Sequence, residues 1–348
     1  MPRASSLDAA AGLPAAAVCL ASDADRDDWN RFLDRAPQPT SLARYEWRHV
    51  ISTAYGNRTF FYLARRAGEI VGVLPGYVAR SLRGHRRFFA LRSGAVVSDE
   101  AALNDLISMV RADAVREKWR DWTVIHRGHS SVEGASVLKT TLVFRLGDSE
   151  DVDWKSLSQK ARNKVRKAGK SGITFATGPQ YMDAVYAVYR DNMLRLGVSI
   201  HSRRFFSALD EALGKDVVWA VALKDATPIA GMCLLASNGG AVHDFQSAAF
   251  ACRNEGPVQF LNWEAIRWCR QQGIPMLDFG ESTKGSSVYR SKTGFGALAE
   301  PVTYYRPVPE SLSIAKAGSS RRNQIEGLLP DYLRTALAIA KRRRGRIL

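Results

Sequence analysis

The sequence predicts an α+β protein with two similar halves in tandem, each built on a mixed, mainly antiparallel sheet. In each half a short helix ending at a glycine precedes an apolar hairpin, and the two helices start 158 residues apart, at Tyr45 and Arg203. A third strand, a long helix and a short strand then follow in the same order. With 348 residues, 46% of them hydrophobic, the chain can bury a core in each half.

In the first half, the short helix covers Tyr45–Gly56 and ends at its glycine. The apolar runs Phe60–Ala64 and Ile70–Leu74 form the hairpin, because a turn sequence separates them. The long helix covers Ala101–Lys118 and leads into a strand at Trp122–His126. This half carries no long polar loop after its last strand, so we expect it to be structural and to form one wall of an acceptor groove.

In the second half, the short helix covers Arg203–Gly214. The hairpin strands are Val217–Leu223 and Ile229–Leu234, and the long helix and short strand are Val258–Gln272 and Met276–Phe279. The near-constant offset from the first half makes two unrelated domains the less favoured interpretation.

The segment after the last of these strands, residues 280–296, has no hydrophobic periodicity and is rich in polar and charged groups. Loops of this kind at the end of a strand often carry function. We therefore predict a binding loop that presents Glu281, Ser282, Thr283, Lys284, Tyr289, Arg290 and Lys292.

This segment resembles a known family. The run Asp278-Phe279-Gly280-x-Ser282-Thr283, followed by Tyr289-Arg290-x-Lys292 and Gly294-x-Gly296, is similar to the closing segment of FemAB-like acyltransferases of the GNAT superfamily. It is most similar to the FemAB-related proteins found beside bacterial exopolysaccharide and exosortase systems. The resemblance covers most of Leu42 to Arg306 and implies two tandem GNAT-like domains.

The resemblance also suggests a division of the chain. We expect an N-terminal tail with the first strand or helix (1–40), a first GNAT-like domain (41–150), a basic linking helix (151–172), a second GNAT-like domain (173–308) that carries the loop 280–296 as its active-site loop, and an amphipathic basic tail (309–348).

The implied reaction is N-acyl transfer without a covalent enzyme intermediate. A neutral amine attacks an ester or thioester carbonyl, and the protein supplies positioning, an oxyanion donor and a route for the proton. In the family the donor is aminoacyl-tRNA, whereas other GNAT proteins use acyl-CoA bound at an Arg/Gln-x-x-Gly-x-Gly/Ala loop. The corresponding residues here are 253–258, where Pro257 lacks an N–H and Val258 replaces the last small residue. Both donors remain open, and we expect no tightly bound cofactor and no metal.

Candidate roles follow from the strand His243–Ser247 and the loop. A regular strand would place His243, Phe245 and Ser247 on one face and Asp244 and Gln246 on the other. Asp244 or Glu281 is the candidate base, Tyr289 a candidate for orienting a carbonyl or sugar, and Asp278 a candidate structural cap. The candidate substrate-binding residues are Gln246, Asn254, Asn262, Trp263, Ser282, Thr283, Lys284, Arg290 and Lys292. Of these, Lys284, Arg290 and Lys292 are candidate phosphate ligands.

The net charge of +16 is concentrated in two segments. The first, 155–170, holds seven basic residues and no acid, with an apolar stripe typical of a helix packed on one face. Cations without acidic neighbours repel each other, so an anionic partner explains them better than a solvated face. The resemblance implies that Arg162, Arg166 and Lys167 contact tRNA, a nucleotide or lipid diphosphate, or an anionic glycan.

The second basic segment, 316–348, has helical apolar spacing and ends in Lys341–Arg346. It predicts either a packed terminal helix or an amphipathic helix lying on an anionic membrane. No apolar run is long enough to span a bilayer, and the four cysteines show no paired spacing. We therefore expect a cytoplasmic protein that can lie at the inner face of the membrane.

Three functions are compatible with these features. The leading hypothesis is a FemAB/GNAT-type N-acyltransferase acting on a cell-envelope precursor, either peptidoglycan or a lipid-linked exopolysaccharide. The second is an acyl-CoA-dependent acetyltransferase that modifies an exopolysaccharide. The third is a non-catalytic GNAT-fold module that binds polyanions through its basic segments.

Overall fold

A computed structural model of the chain describes residues 14–81, 84–307 and 340. The predicted basic tail therefore lies outside the described residues, except for Ala340, and so do residues 1–13 of the predicted N-terminal segment. No helix in the described part is long and apolar enough to cross a bilayer.

The first half contains the predicted elements in the predicted order. Its strands are β1 (Ala17–Leu20), β2 (Arg58–Arg66), β3 (Glu69–Arg80), β4 (Arg86–Ala90), β5 (Val96–Val97), β6 (Asp121–Arg127) and β7 (Ala135–Arg145). Its helices are α1 (Arg26–Asp34), α2 (Trp47–Tyr55) and α3 (Glu100–Arg116). Helix α2 ends where the sequence predicts, because Gly56 adopts the left-handed conformation (φ 65°) that only glycine adopts at low cost.

The second half repeats this order after a helical linker of α4 (Glu150–Ser156) and α5 (Gln159–Lys170). Its strands are β8 (Thr174–Thr177), β9 (Val217–Lys224), β10 (Thr227–Ser237), β11 (Gly240–Ala248), β12 (Met276–Ser282) and β13 (Leu298–Tyr305). Its helices are α6 (Met182–Arg195), α7 (Arg203–Leu213), α8 (Pro257–Gln271) and α9 (Ser287–Thr293). The predicted hairpins and long helices of both halves are confirmed.

One sheet runs through both halves, in the order β1-β2-β3-β4-β6-β13-β7-β12-β11-β10-β9-β8, and β5 pairs with β3 beside this path. The described strand pairs are antiparallel except β4–β6 and β11–β12. This confirms the α+β class with a mixed, mainly antiparallel sheet. The sequence did not predict that the two halves exchange their last strands: β7 lies beside β12 of the second half, and β13 lies beside β6 of the first.

The predicted domain limits stay a prediction, and the exchanged strands do not follow them in space. A limit at residue 150 assigns β7 to the first domain by sequence, although β7 lies between β12 and β13 in the sheet. Since β7 and β13 also pair with each other from Leu298↔Val143 to Tyr305↔Ala135, the halves are joined by a backbone ladder whose register shifts once, between Val302 and Thr303.

An aromatic core also fastens the two halves together. Trp29, Trp47 and Tyr55 of the first half share one buried cluster with side chains of the second half that include Phe205 and Phe206. Trp47 and Phe205 pack with ring centroids 6.2 Å apart, and Tyr55 and Phe205 with centroids 5.7 Å apart. Burial of this much aromatic surface at the seam fixes the relative position of the halves, and the candidate site depends on that position.

Candidate active site

The parallel pair β11–β12 opens at the seam between the halves. Its ladder contains only the pairs Ala241↔Leu277 and Val242↔Asp278, although both strands continue beyond them. A cavity of about 40 Å³ lies beside this opening. Residues from both halves line it: Gln38, Pro39, Leu42, Arg92, Ser93, Val96, Ile125, Arg127, Thr141, Val242, Asp278, Gly280, Glu281 and Val302.

A β-bulge at Asp244 changes the predicted faces of β11. Phe245 pairs with Cys233, and His243 pairs with Leu234, so Asp244 is the extra residue between them. The prediction that His243 and Phe245 share a face is therefore wrong. Phe245 joins the aromatic core at the seam, whereas the His243 ring meets Phe279 of β12 edge-on at 6.3 Å. Burial lowers the pKa of the His243 imidazole to about 3.

The bulge directs Asp244 towards the first half. Its carboxylate pairs with the Arg92 guanidinium at 2.9 Å, and only 1% of its side chain is exposed. Asp244 does not line the cavity. Of the two candidate bases, it is therefore the one that a substrate cannot reach.

Asp278 acts as the predicted structural cap. Its carboxylate accepts hydrogen bonds from the Gly280 N–H at 2.7 Å and from the Thr141 hydroxyl, and it pairs with Arg127 at 3.0 Å. These contacts hold the part of β12 between Asp278 and Glu281, where its register against β7 shifts. Gly280 itself has φ 78°, a conformation that a side chain would strain.

Glu281, the other candidate base, faces the cavity. Its carboxylate pairs with Lys139 of β7 at 3.1 Å and accepts a hydrogen bond from the Tyr304 hydroxyl of β13 at 2.6 Å. Its side chain is 10% exposed. Both partners lie on the exchanged strands, so the exchange orients this carboxylate.

Lys292 does not occupy the surface position expected of a phosphate ligand. Its ammonium group donates to the carbonyl oxygens of Gly280 at 2.9 Å and Glu281 at 3.2 Å. Burial, reinforced by the nearby charge of Arg92, lowers the pKa of this amine to about 8. The amine can therefore gain or lose a proton near neutral pH.

The rest of the loop is partly helical, since α9 begins at the cap residue Ser286, whose hydroxyl accepts from the Tyr289 N–H. The sequence showed no periodicity here because α9 is only seven residues long. Tyr289 packs against the hydrophobic core of the second half. Arg290 is exposed and donates to the Gly285 carbonyl. Of the remaining candidates, Ser282 is buried, while Thr283 and Lys284 are exposed.

The candidates on β11 and α8, namely Gln246, Asn262 and Trp263, contact neighbouring side chains inside the protein. The Gln246 amide donates to the Asn262 side chain at 2.7 Å, and Asn262 is 5% exposed. Trp263 is buried and packs edge-on against Trp154 of α4, with ring centroids 4.8 Å apart. None of these residues lines the cavity, and Asn254 lies on the short 3₁₀ segment Phe250–Glu255, also away from the cavity lining.

Helix α5 has the predicted buried stripe, with Ala161, Val165 and Ala168 packed inward. The three cations singled out from its sequence contact the protein. Arg162 donates to the carbonyls of residues 155 and 157, Arg166 lies over the Trp154 ring at 5.2 Å, and Lys167 donates to the Asn254 carbonyl at 3.2 Å.

The remaining cations of α5 extend from the protein. No cation of this helix forms an ion pair with a carboxylate of the described chain. Lys160, Lys164 and Lys170 are exposed and therefore available for an external anion, and Lys164 lies beside the start of α8.

The start of α8 is packed against α5. It begins after Gly256 (φ 80°) with Pro257, and no side chain caps it. The carbonyl oxygen of Lys164 approaches so closely that a Cβ at Gly256 would meet it at 3.1 Å. By contrast, the equivalent helix of the first half, α3, is capped by the Asp99 carboxylate, which accepts from the Ala102 N–H. At the start of α3, a carboxylate of the protein therefore occupies the place where the phosphate of a ligand would bind to the free N–H groups of a helix.

Arg92, Arg127, Lys139 and Tyr304, whose side chains pair with the acidic residues of this site, were not predicted. They come from the first half and from β13, and no local pattern marks them, because each is defined by its partner across the seam. In residues 14–81 and 84–307, no group of three His, Cys, Asp or Glu side chains is placed to hold a metal ion.

Comparisons with known proteins agree with this architecture. Residues 155–291 match the family model described as acetyltransferase (GNAT) domain. Among solved structures, FemX superposes with a TM-score of 0.65 at 15% identity, over 83% of this chain and 97% of that one. No curated protein shows significant sequence similarity to the chain.

Two further solved structures match along most of their length. The C-terminal domain of a putative lysylphosphatidylglycerol synthetase from Agrobacterium fabrum gives a TM-score of 0.56 at 14% identity, over 81% of this chain and 91% of that one. A tandem GNAT protein from the clavulanic acid biosynthesis pathway gives 0.51 at 11% identity, over 85% and 100%. At these identities the similarity concerns the fold.

Proposed function

We propose that this chain, whose residues 155–291 match the acetyltransferase (GNAT) domain model, transfers an aminoacyl or acyl group to an amine of a phosphate-bearing cell-envelope precursor, either peptidoglycan or a lipid-linked exopolysaccharide. The observation that carries the proposal is the proximity of a cavity-lining carboxylate, that of Glu281, to an amine whose pKa is lowered to about 8, that of Lys292, which donates to the Glu281 backbone carbonyl oxygen. Acyl transfer to an amine uses a base that takes a proton from the amine and an acid that protonates the leaving group. The different environments of Glu281 and Lys292 suit them to these two roles.

The roles follow from the proton balance. The acceptor nitrogen attacks the acyl carbonyl, a C–N bond forms and the C–O or C–S bond of the donor breaks. Glu281 takes the proton that the nitrogen loses, and the Lys292 ammonium gives a proton to the departing oxygen or sulfur. Transfer of a proton from Glu281 to Lys292 restores both groups. Tyr289, which is partly buried against the core of the second half, is proposed to orient the acceptor or the carbonyl.

The size of the cavity limits what enters it. A space of about 40 Å³ holds one or two water-sized groups, so only the amine-bearing tip of an acceptor fits. The remainder of the acceptor then lies outside, along the loop, where Lys284 and Arg290 are exposed and provide charges for its phosphates. This arrangement suits a large precursor with a terminal amine.

For the donor, we favour aminoacyl-tRNA. Helix α5 presents Lys160, Lys164 and Lys170, with Lys164 beside the start of α8, while Arg162, Arg166 and Lys167 stabilise the helix and its contact with the segment before α8. Close packing of the Lys164 carbonyl on Gly256, and the missing N–H of Pro257, reduce the room and the donors for a CoA diphosphate. One of the fold neighbours is a domain of a putative lysylphosphatidylglycerol synthetase, and such a relative is consistent with aminoacyl transfer.

One observation favours an acyl-CoA-dependent acetyltransferase instead. The first turn of α8 has no side-chain cap, and uncapped N–H groups at a helix start bind phosphate oxygens. The two donors can be compared directly, because each stabilises the protein against heat if it binds the native state.

The test is a transfer assay on the purified full-length chain with charged tRNA or acetyl-CoA as donor and an amine-bearing muropeptide precursor as acceptor. We expect transfer from charged tRNA and a thermal shift with it. Transfer from acetyl-CoA alone would replace the tRNA proposal by the acetyltransferase. Absence of transfer with both donors, or equal activity of Glu281→Gln and the surface control Glu211→Gln, would contradict the proposed chemistry.

A further inference from the structure

An exposed apolar patch lies on two neighbouring loops of the second half. Leu196 and Val198, after α6, expose 50% and 44% of their surface, and Phe250, after β11, exposes 51%. The Arg195 guanidinium lies 4.5 Å from the centre of the Phe250 ring, so the two loops are adjacent. We call Leu196, Val198 and Phe250 the loop patch. Nothing in the acyl-transfer chemistry requires these side chains to face solvent.

Cations border the loop patch. The Arg253 guanidinium lies 3.7 Å from the centre of the Phe250 ring and donates to the Phe250 carbonyl, while Arg195 donates to the Asn192 side chain. Neither arginine pairs with a carboxylate of the described chain. Helix α5, with its unpaired lysines, adjoins the same 3₁₀ segment through the bond from Lys167 to the Asn254 carbonyl. The patch is therefore an apolar tip inside a positively charged rim.

We propose that the loop patch docks the protein on an anionic lipid bilayer. Phe250, Leu196 and Val198 enter the interfacial region, and Arg195 and Arg253 remain at the level of the lipid phosphates. Lysines and arginines beside such a patch add electrostatic attraction to anionic headgroups, and this attraction is weakened by salt. An aromatic ring with two guanidinium groups against it suits this position, because the ring is apolar and the cations need anions.

The same features argue against a nucleic acid at this place. Single strands stack their bases on free aromatic faces, whereas the Phe250 ring already has Arg195 and Arg253 within 4.5 Å of its centre. Leu196 and Val198 offer neither stacking nor hydrogen bonds to a base. An acyl chain or glycerol backbone satisfies these aliphatic side chains directly.

Docking here would present the site to a lipid-linked acceptor. The patch follows α6 and β11, and β11 is one of the two strands that open at the cavity. Only the presentation of the site to a lipid-linked acceptor rests on the proposed function. Docking on vesicles does not, because vesicle binding is measured without any acyl donor. Loss of vesicle binding with transfer to a water-soluble acceptor retained would concern the loop patch alone.

The experiment is flotation of the full-length protein with vesicles of phosphatidylglycerol and phosphatidylcholine, compared with vesicles of phosphatidylcholine alone. We expect binding to the anionic vesicles that decreases with salt. The triple variant Leu196→Ser/Val198→Ser/Phe250→Ser should bind at least about tenfold more weakly. The matched control is Val115→Ser, since Val115 is 81% exposed on α3 and lies in the first half; it should bind as the wild type does.

A second variant separates charge from apolar contact. Arg195→Gln/Arg253→Gln should lower binding to anionic vesicles by about tenfold and flatten its salt dependence, whereas Arg111→Gln on α3 should not. Thermal unfolding of each variant verifies that it is folded. The proposal is overturned if the wild type does not float with anionic vesicles, or if the triple variant binds as well as Val115→Ser. It is also overturned if the triple variant keeps vesicle binding but loses binding to a single-stranded RNA.

Discussion

Arg127 of the first half and Asp278 of the second form an ion pair at 3.0 Å across the exchanged strands, with side chains 16% and 9% exposed. Two similar pairs accompany it, Arg92 with Asp244 and Lys139 with Glu281. In each pair the second half supplies the carboxylate and the first half supplies the cation. The seam is therefore part of the site, and the first half contributes to it although its own anion position is filled.

Breaking the Arg127–Asp278 pair should destabilise the protein. The variant Arg127→Met leaves a buried carboxylate without its cation, which typically costs about 3 kcal/mol of unfolding free energy. Urea denaturation measures this difference. Arg58→Gln is the control, because Arg58 is 63% exposed in its pair with Glu117 and should cost less than about 1 kcal/mol. Equal costs for the two variants would show that the seam pair is not important for stability.

Glu281→Gln should reduce kcat by about 100-fold or more, since removal of a positioned base has effects of this order. Asp244→Asn should act differently because Asp244 is inaccessible and paired with Arg92. We expect it to lower the melting temperature while kcat per folded molecule stays within about tenfold. Single-turnover rates and thermal unfolding, measured on both variants, distinguish the roles. A larger kcat loss in Asp244→Asn would make Asp244 the base.

The rate should depend on the protonation of Lys292. Because its pKa is lowered to about 8 and the proposed step uses the ammonium form, kcat should fall as the pH rises through about 8. Lys292→Arg retains a cation that does not titrate there, so its lower activity should lack this descending limb. The pH profiles of kcat for the two proteins, on the same donor, provide the measurement. A limb at pH 8 in both would assign it to another group.

Stability should also vary with pH because of Lys292. Its pKa is about 8 in the folded protein and near its ordinary value of 10.5 in the unfolded chain. Between these values the unfolded chain binds more protons, so the free energy of unfolding should rise with pH from about 8 to 10.5. Relative to Lys292→Met, the wild type should gain stability over this window, as measured by urea denaturation. A parallel course of the two curves would show that Lys292 is not perturbed.

Neutralising the free face of α5 should weaken donor binding without destabilising the fold. The variant Lys160→Gln/Lys164→Gln/Lys170→Gln should raise the donor KM and flatten its dependence on salt, since each phosphate contact contributes to that slope. The control removes three exposed charges of the first half, Arg80, Arg87 and Arg111. Equal effects of the two triple variants would indicate a general charge effect rather than a donor site on α5.

Much of the secondary structure could be predicted from the sequence because its causes are local. Gly56 and Gly214 mark the ends of α2 and α7, apolar runs mark the hairpin strands, and the stripe of α5 marks its buried face. The loop after Phe279 could be recognised as functional from its composition, and Glu281, the candidate that lines the cavity, was among the residues selected.

The tertiary structure decided which of these residues meet. The exchange of β7 and β13 depends on hydrogen bonds between residues more than 100 positions apart, which leave no periodic signal. The bulge at Asp244 depends on how β11 fits β10 and turns a candidate base into a buried partner of Arg92. Likewise, the low pKa of Lys292 arises from burial and from a charge that the first half supplies. The sequence thus determined the elements and the kinds of group available, whereas long-range packing determined which groups face the cavity, because burial and pairing depend on neighbours in space.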